Sequence, residues 1–297
     1  MRILRNEPLS KHTTFRIGGP AKYFCAPRTI NELKEALQFA KAGENSNSRL
    51  PIFILGSGSN ILISDKGFNG LAINPRIDDI SINGTDVVVG AGLPLQHLLS
   101  ILAQKGLTGL EFMTGIPGSV GGSVCMNAGT GENAIGKAVV SVWVMNENGI
   151  EKAYSFKQSG FGYRKSAFQK KGLIITRVQL KLKKGKTINI RSKMKQLWQK
   201  RLSGQPYSLP SAGSVFKNPK GDFAGRLIEA AGLKGKRAGK AEISKKHANF
   251  IVNLGGAKSK DVLRLMALIQ KIVKHKFKIK LEPEIGFIEL PLKSSSK

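Results

Sequence analysis

Cysteine, long apolar runs and paired metal ligands are all scarce in this sequence. The 297 residues contain two cysteines, Cys25 and Cys125, and no C-x-x-C pair. A disulfide framework and a Cys-based metal or redox site are therefore excluded. The four histidines never stand at metal-ligand spacing, so no metal site is expected. No apolar run reaches the ~18 residues of a membrane span and the start of the chain has no apolar signal segment, which predicts a cytoplasmic protein without membrane insertion.

Acidic residues are also few. The chain has 48 Lys and Arg against 19 Asp and Glu, a net charge of +29, and residues 181–280 alone hold 26 basic residues against four acids. Such an excess raises nucleic acid as a partner. However, only 7% of the residues are aromatic and no recognition motif is present. We therefore expect a lysine-rich surface around a site for small phosphorylated ligands, and no specific nucleic-acid binding.

Glycine is abundant in one uncharged stretch, Thr114–Gly129, where five of sixteen residues are Gly. Backbone without bulky side chains suits an anion such as a pyrophosphate, although a set of tight surface turns would have the same composition. A second glycine loop, Gly56–Asn60, follows an apolar run at 51–55. It fails as a Rossmann fingerprint because Ile61 stands where the last Gly is needed. Together the two loops predict a joint cradle for one extended dinucleotide.

Hydrophobic periodicity predicts a mixed α+β chain. Thr29 and Glu32 form a capping-box pattern before a helix over 30–42, and a polar loop follows at 43–49. Strands are predicted over 20–24, 51–55, 61–63, 80–82, 87–89, 139–145, 151–156, 173–182, 250–252 and 277–281. Further helices are predicted over 94–104, 191–201, 224–231 and 259–275. The last helix has the apolar stripe Val262, Leu265, Met266, Ile269 and Ile272.

Six ordered motifs then make the chain recognisable. They are His12-Thr-Thr-Phe-Arg-Ile-Gly-Gly-Pro20, Gly56-Ser-Gly-Ser-Asn60, Gly115-Ile-Pro-Gly-Ser-Val-Gly-Gly122 with Asn127-Ala-Gly129, Tyr163-Arg-Lys-Ser166, Gly213-Ser-Val-Phe-Lys-Asn-Pro219 and Leu281-Glu-Pro-Glu-Ile285. Over almost its full length the chain resembles the UDP-N-acetylenolpyruvoylglucosamine reductase family. These are flavoenzymes of peptidoglycan precursor synthesis, within a wider FAD-binding family of the vanillyl-alcohol-oxidase type.

The resemblance implies a fold and a cofactor. Two α+β subdomains, 1–75 and 76–183, would bind FAD, and an α+β domain, 184–297, would bind the substrate. The FAD-binding residues that it implies all lie in the two glycine-rich loops. They are Gly56, Ser57, Gly58, Ser59, Asn60, Thr114, Gly115, Pro117, Gly118, Ser119, Gly121, Gly122, Asn127 and Ala128.

The resemblance also implies a reaction. NADPH would give a hydride to FAD, which would pass it to the enolpyruvyl group of a UDP-sugar, giving the lactyl ether of UDP-N-acetylmuramate. Ser214 would donate the proton, and Arg164 and Glu284 would be the other catalytic residues. Tyr163, Lys217, Asn218 and His247 would contact the substrate.

These residue types suit that chemistry. Hydride addition to an enolpyruvyl ether gives an enolate-like dianion, which an Arg can stabilise through a bidentate contact with the carboxylate. A serine is a weak acid, so the basicity of the carbanion and close positioning must compensate. A protonated Glu284 could donate a hydrogen bond to the substrate.

Other interpretations remain open. Without the resemblance, Ser214 would be an ordinary loop serine, Arg164 a surface cation and Glu284 the end of a strand or an ion-pair partner. The competing functions are another FAD-linked sugar oxidoreductase and a basic nucleic-acid-binding protein on this scaffold. The short spacing from Arg164 to Ser214 resembles a subtype that lacks a tyrosine-bearing loop, and Gly286 stands where many relatives have a basic residue. No feature fixes the oligomeric state, and a monomer is expected.

Overall fold

The computed structural model describes residues 1–43, 49–170 and 172–289. Most of the predicted loop 43–49 and the end of the predicted segment 184–297 therefore lie outside the described residues. The chain divides into two compact units. Unit 1 comprises residues 1–4, 24–57 and 70–201, and unit 2 comprises residues 5–23, 58–69 and 202–297. These units do not coincide with the three segments predicted from the sequence, whose cofactor and substrate roles stay predictions.

The described residues form strands and α-helices throughout, in agreement with the predicted α+β class. The strands are β1 (Ile3–Pro8), β2 (Pro20–Cys25), β3 (Ile52–Ile54), β4 (Ile61–Ile63), β5 (Phe68–Ile73), β6 (Ile80–Asn83), β7 (Asp86–Gly90), β8 (Leu107–Thr108), β9 (Gly129–Thr130), β10 (Asn133–Ala134), β11 (Val139–Asn146), β12 (Glu151–Ser155), β13 (Leu173–Lys181), β14 (Lys183–Lys184), β15 (Ser211–Ser214), β16 (Arg237–Ala238), β17 (Ala241–Ile243), β18 (Phe250–Asn253) and β19 (Gly286–Ile288). The helices are α1 (Ile30–Ala42), α2 (Leu95–Gln104), α3 (Val120–Cys125), α4 (Phe156–Ser159), α5 (Thr187–Gly204), α6 (Ala224–Ala230) and α7 (Ser259–Phe277).

Unit 1 is built around a five-stranded antiparallel sheet in the order β12-β11-β13-β7-β6. Its core is aliphatic, with Val87, Val89, Leu98 and Val178 fully buried. The strands predicted at 80–82 and 87–89, and those predicted at 139–145 and 151–156, form here and pair as the hairpins β6–β7 and β11–β12. The predicted strand at 51–55 is shorter than expected, because β3 covers Ile52–Ile54, and its residues are half-buried rather than buried.

Unit 2 is built around the antiparallel sheet β15-β18-β17-β16, with α7 packed against β16 and β17. Its core includes Phe15, Leu62, Phe216 and Leu265, each almost completely buried. Strand β4 pairs in parallel with β19 at the end of the described chain. The strands β1, β2, β5 and β3 form a further sheet, in the order β1-β2-β5-β3.

The helix predictions are largely confirmed. Helix α1 has the predicted bounds, and the Thr29 side chain accepts a hydrogen bond from the N–H of Glu32 at 3.1 Å. The Glu32 carboxylate, however, accepts from the N–H of Arg28. Helix α5 is longer at both ends than the predicted 191–201. In α7 the fully buried residue of the last turns is Val273 rather than Ile272, since the 3.6-residue repeat continues from Ile269 to Val273.

The predicted strand at 277–281 is wrong. Helix α7 continues through Phe277, and Lys278 then takes a left-handed backbone conformation, with φ +60° and its N–H bonded to the carbonyl of Lys274. The apolar alternation of Phe277, Ile279 and Leu281 arises because all three pack against the core of unit 2 without strand pairing. The last strand of the described chain is β19.

Candidate active site

The start of the first glycine-rich loop, residues 56–57, lies in unit 1 together with the second loop. A Cβ built on Gly56 would lie 3.1 Å from Ser119 Oγ and 3.8 Å from the Cα of Gly122. Gly56 therefore lies close to Ser119 and to the backbone of Gly122. This arrangement is compatible with a shared anion site made of backbone.

Within the long stretch, most helical N–H groups are already used by the protein. The N–H of Val120 donates to the carbonyl of Leu93, and that of Gly121 donates to the carbonyl of Ala91. A Cβ on Gly121 would lie 2.7 Å from the Cβ of Ala91, so packing alone requires glycine there. Among the described residues, the N–H groups of Gly118 and Ser119 have no such partner. They are the ones that can meet a ligand.

Two side chains that hold these loops were missed by the sequence argument. Gln96, on α2, donates to the carbonyls of Met113 and Ile116 and accepts from the N–H of Gly115 at 2.9 Å. Asn74 donates to the carbonyls of Leu55 and Gly56 at 2.6 and 2.8 Å. A polar residue at the end of an apolar strand, such as Asn74 after β5, was the available signal for one of them.

Two buried polar atoms beside these loops have no hydrogen-bond partner within the part of the chain that the structure describes. They are Thr114 Oγ1 and Asn74 Oδ1, on side chains that are 7% and 3% exposed. A buried polar group normally has a partner, so these atoms favour a ligand that supplies one. With the small-residue backbone around Gly56 and Gly118, the residues present fit an FAD.

Arg164 lies in a tight turn of unit 1. Gly162 and Lys165 exchange two backbone hydrogen bonds, of 3.0 and 3.2 Å, across Tyr163 and Arg164. Arg164 has φ +52°, an uncommon conformation for a residue with a side chain. Its guanidinium carbon lies 5.4 Å from the centroid of the Tyr163 ring, and that side chain is 55% exposed. The two predicted residues are therefore neighbours, with the tyrosine against the cation.

This turn is tethered from outside by side chains. Asn127 donates through Nδ2 to the carbonyl of Gly162 at 2.8 Å, and Gln169 donates to the carbonyl of Arg164 at 3.0 Å. Ser166 Oγ donates to the carbonyl of Cys125 at 2.6 Å. The end of the glycine-rich stretch, predicted only to contact the cofactor, thus also supports the Arg164 turn.

In unit 2, the segments that carry Ser214 and Glu284 pair with each other. Ser214 ends β15, and the residue after it accepts a hydrogen bond from the N–H of Glu284 through the carbonyl of Val215 at 2.8 Å. Two residues further on, the N–H of Lys217 donates to the carbonyl of Glu282 at 2.9 Å. The motifs 213–219 and 281–285 therefore lie side by side as an antiparallel backbone ladder, with Ser214 and Glu284 both half-buried.

Two asparagines extend this ladder. Asn60 donates through Nδ2 to the carbonyl of Glu284 at 3.2 Å and accepts from the N–H of Gly286 through its own carbonyl. Asn249 accepts from the N–H of Phe216 and donates to its carbonyl. Asn60, predicted to contact FAD, therefore also fixes the position of Glu284.

The predicted substrate residues of unit 2 have structural partners. Lys217 Nζ lies 3.5 Å from a carboxylate oxygen of Glu282, and Asn218 Oδ1 accepts from the N–H of Ala224 at the start of α6. His247 accepts through Nδ1 from the N–H of Asn249, so its remaining nitrogen is the donor. Burial, and secondarily the charge of Lys234, lowers the pKa of His247, which favours the neutral ring.

The cysteines have no reactive character. Burial raises the pKa of the Cys25 thiol to about 12 and that of the Cys125 thiol to about 11. Over residues 1–43, 49–170 and 172–289, no three His, Cys, Asp or Glu side chains are arranged to hold a metal ion. No helix within those ranges is long and apolar enough to cross a bilayer.

Comparison with known proteins identifies the family. Residues 21–152 match the family model described as the FAD binding domain, and residues 205–288 match the C-terminal domain of UDP-N-acetylenolpyruvoylglucosamine reductase. The reductase of Moorella thermoacetica is 43% identical over 286 residues, 96% of this chain and 93% of the relative. The chain belongs to the UDP-N-acetylenolpyruvoylglucosamine reductase family. The reductase of Alkaliphilus oremlandii is 40% identical over 288 residues, with 96% and 93% of the two chains covered.

A solved structure of this family agrees in fold. The crystal structure of the UDP-N-acetylenolpyruvylglucosamine reductase (MurB) from Thermus caldophilus superposes with a TM-score of 0.82 at 39% identity, covering 97% of this chain and 98% of that one. The predicted family, the predicted fold class and the FAD cofactor are thereby confirmed. The roles of individual residues stay predictions, which the contacts described above now support or qualify.

Proposed function

We propose that this chain catalyses the NADPH-dependent reduction of UDP-N-acetylglucosamine enolpyruvate to UDP-N-acetylmuramate in the cytoplasm, a step of peptidoglycan precursor synthesis. The observation that carries the proposal is the ladder between residues 213–219 and 281–285, in which Glu284 pairs with Val215, the residue after Ser214. Relatives of the same length and about 40% identity bear the reductase name, which supports the assignment.

When bound, FAD would supply the two-electron chemistry that links oxidation of NADPH to reduction of the enolpyruvyl group. The loops at Gly56 and Gly118 would hold the pyrophosphate of the cofactor through backbone N–H groups, without a lysine. The surplus of basic residues at 181–280 would then favour the approach of anionic substrates.

Arg164 stabilises the charge that develops on the substrate. Addition to the enolpyruvyl group moves electrons toward its carboxylate, and a guanidinium can bind both carboxylate oxygens. The left-handed backbone at Arg164 fixes where the side chain starts, and the tethers to Asn127 and Gln169 hold that backbone. A prearranged cation avoids reorganisation during the reaction.

Ser214 donates the proton that completes the reduction. No hydrogen bond from the Ser214 hydroxyl is formed to any of the described residues. Its proton therefore remains for a ligand. Glu284 lies on the adjacent strand of the ladder and would face the same carboxyl group of the substrate, as a hydrogen-bond donor when protonated.

The alternative enzyme is another FAD-linked sugar oxidoreductase. Such an enzyme would retain the glycine loops but would not need the ladder that joins the Ser214 and Glu284 motifs. A basic nucleic-acid-binding protein would need neither. The ladder therefore favours the reductase over both.

Purified wild-type protein tests the function directly. We expect yellow protein whose flavin absorbance is bleached by NADPH under anaerobic conditions and restored by UDP-N-acetylglucosamine enolpyruvate, with one lactyl ether formed per flavin. Reoxidation only by oxygen would favour the sugar oxidase. Colourless protein that co-purifies with nucleic acid at moderate salt would contradict the proposal.

A further inference from the structure

Asn127 is the most constrained side chain of the glycine-rich stretch. It is 7% exposed, and its backbone has φ +44°. Both ends of its amide are used, since Oδ1 accepts from the N–H of Gly136 at 3.0 Å and Nδ2 donates to the carbonyl of Gly162 at 2.8 Å. A Cβ on Gly136 would lie 2.7 Å from Asn127 Oδ1, so the amide occupies the space that a side chain at position 136 would need.

The Nδ2 group of Asn127 bonds to the turn that carries Arg164. Gly162 begins the turn that presents Arg164, and its carbonyl also accepts from the N–H of Lys165. A turn with left-handed backbone at Arg164 is strained, and such strain persists only where surrounding contacts hold it. The bond from Asn127 is one of those contacts and comes from 35 residues away in the sequence.

We propose that Asn127 is a positioning residue for Arg164, acting on the turn rather than on the cofactor. This inference rests on the proposed function for the role of Arg164. Its consequence is selective: loss of the Asn127 amide disturbs the step that needs Arg164 and leaves the transfer of electrons from NADPH to the flavin unchanged.

Two replacements separate the effect of losing the side-chain amide from the effect of straining the backbone at position 127. Asn127→Asp retains the shape and the acceptor toward Gly136 but loses the donor toward Gly162. Asn127→Gly loses both hydrogen bonds and still accepts φ +44° without strain. Asn146→Asp is the matched control, because Asn146 also caps a turn of unit 1 through its side-chain oxygen, which accepts from the N–H groups of Asn148 and Ile150 rather than from the Arg164 turn.

We expect a loss of about 10²-fold in the sugar-dependent step for Asn127→Gly, since small misplacement of a positioning group has effects of that order. Asn127→Asp should lose less, and the control nothing. FAD content and flavin reduction by NADPH should stay at wild-type values. In an Arg164→Ala background, Asn127→Gly should add no further loss, because the two residues act as one unit.

An activity-independent measurement separates this inference from the proposed function. Trypsin cleavage after Arg164, followed by mass spectrometry, reports how firmly the turn is held. It should be faster in Asn127→Gly than in wild type and unchanged in Asn146→Asp. Equal cleavage, an additive loss in the Arg164→Ala background, or loss of FAD in step with activity would each overturn the inference. If wild type does not turn over the sugar, the proposed function fails whatever the cleavage result.

Discussion

Arg164 and the Ser214–Glu284 pair are held in place by different means. The Arg164 turn in unit 1 has one pair of backbone hydrogen bonds and depends on side chains of Asn127, Gln169 and Ser166 for the rest. The segments of Ser214 and Glu284 in unit 2 are joined to each other by backbone groups, with Asn60 and Asn249 adding side-chain bonds. Hydrogen bonds between backbone groups remain when a side chain is replaced, whereas a side-chain tether is lost. The cation should therefore be the more easily misplaced of the catalytic groups.

The largest effect is expected from removing the buried side chain of Phe216 in the ladder. Phe216 is fully buried in unit 2, its backbone N–H and carbonyl both bond to the Asn249 side chain, and it lies across the ladder from Pro283. Phe216→Ala should lower the free energy of unfolding by about 3–5 kcal/mol, because it removes a large buried side chain and leaves a cavity.

Denaturant unfolding monitored by circular dichroism measures this effect, with Phe287→Ala as the control, since Phe287 is 39% exposed. The control should be close to wild type. A change below about 1 kcal/mol for Phe216→Ala would mean that the ladder is not part of a packed core.

Replacement of Asn60 tests how much the Glu284 segment depends on a side-chain hydrogen bond. Asn60→Ala removes the hydrogen bond to the carbonyl of Glu284 but leaves the bond from the N–H of Glu284 to Val215. We expect a loss of about tenfold in the sugar-dependent step, the effect of about 1.4 kcal/mol, and unchanged flavin reduction by NADPH. The loss should be smaller than for Asn127→Gly. Steady-state and half-reaction rates, measured together with the FAD content, test this prediction. Loss of FAD without a further loss in the sugar-dependent step would show that Asn60 acts on the cofactor and not on Glu284.

The smallest expected effect concerns pH. His247 has a lowered pKa in the folded protein, so the unfolded chain binds its proton more readily. Stability from this group is therefore present above about pH 6.5, the ordinary pKa of histidine, and is lost as pH falls through the folded value. His247→Gln should flatten the decline of the melting temperature below pH 6.5. An unchanged slope would show that His247 is not the group responsible.

Local patterns predicted much of the fold. Helix α1 and its Thr29 cap follow from residues within one turn of each other, and the hairpins follow from alternation around Asn-Gly turns. The strand at 277–281 was mistaken because apolar alternation does not reveal whether a backbone partner exists. Helix α7 ends at Lys278, whose backbone is left-handed. Lysine has no preference for that conformation, so the sequence did not indicate it.

The candidate site was predictable in its residues and less so in its connections. Motif resemblance selected Arg164, Ser214 and Glu284. The bonds from Asn127 to Gly162 and from Asn60 to Glu284 join residues 35 and 224 positions apart, and a single sequence has no signal for them. The two asparagines were thus assigned to the cofactor alone. The structure gives Asn127 a partner in the turn that carries Arg164, and Asn60 a partner in the backbone of Glu284.

The most direct test of the account is the pair of half-reactions in Ser214→Ala, measured by anaerobic rapid mixing. Flavin reduction by NADPH should proceed at the wild-type rate, and formation of UDP-N-acetylmuramate should fall by about 10²–10⁴-fold, the range for loss of a general acid. Lactyl ether formed at the wild-type rate would contradict the role of Ser214 as proton donor. It would also contradict the proposal that the ladder beside Glu284 is part of the substrate site.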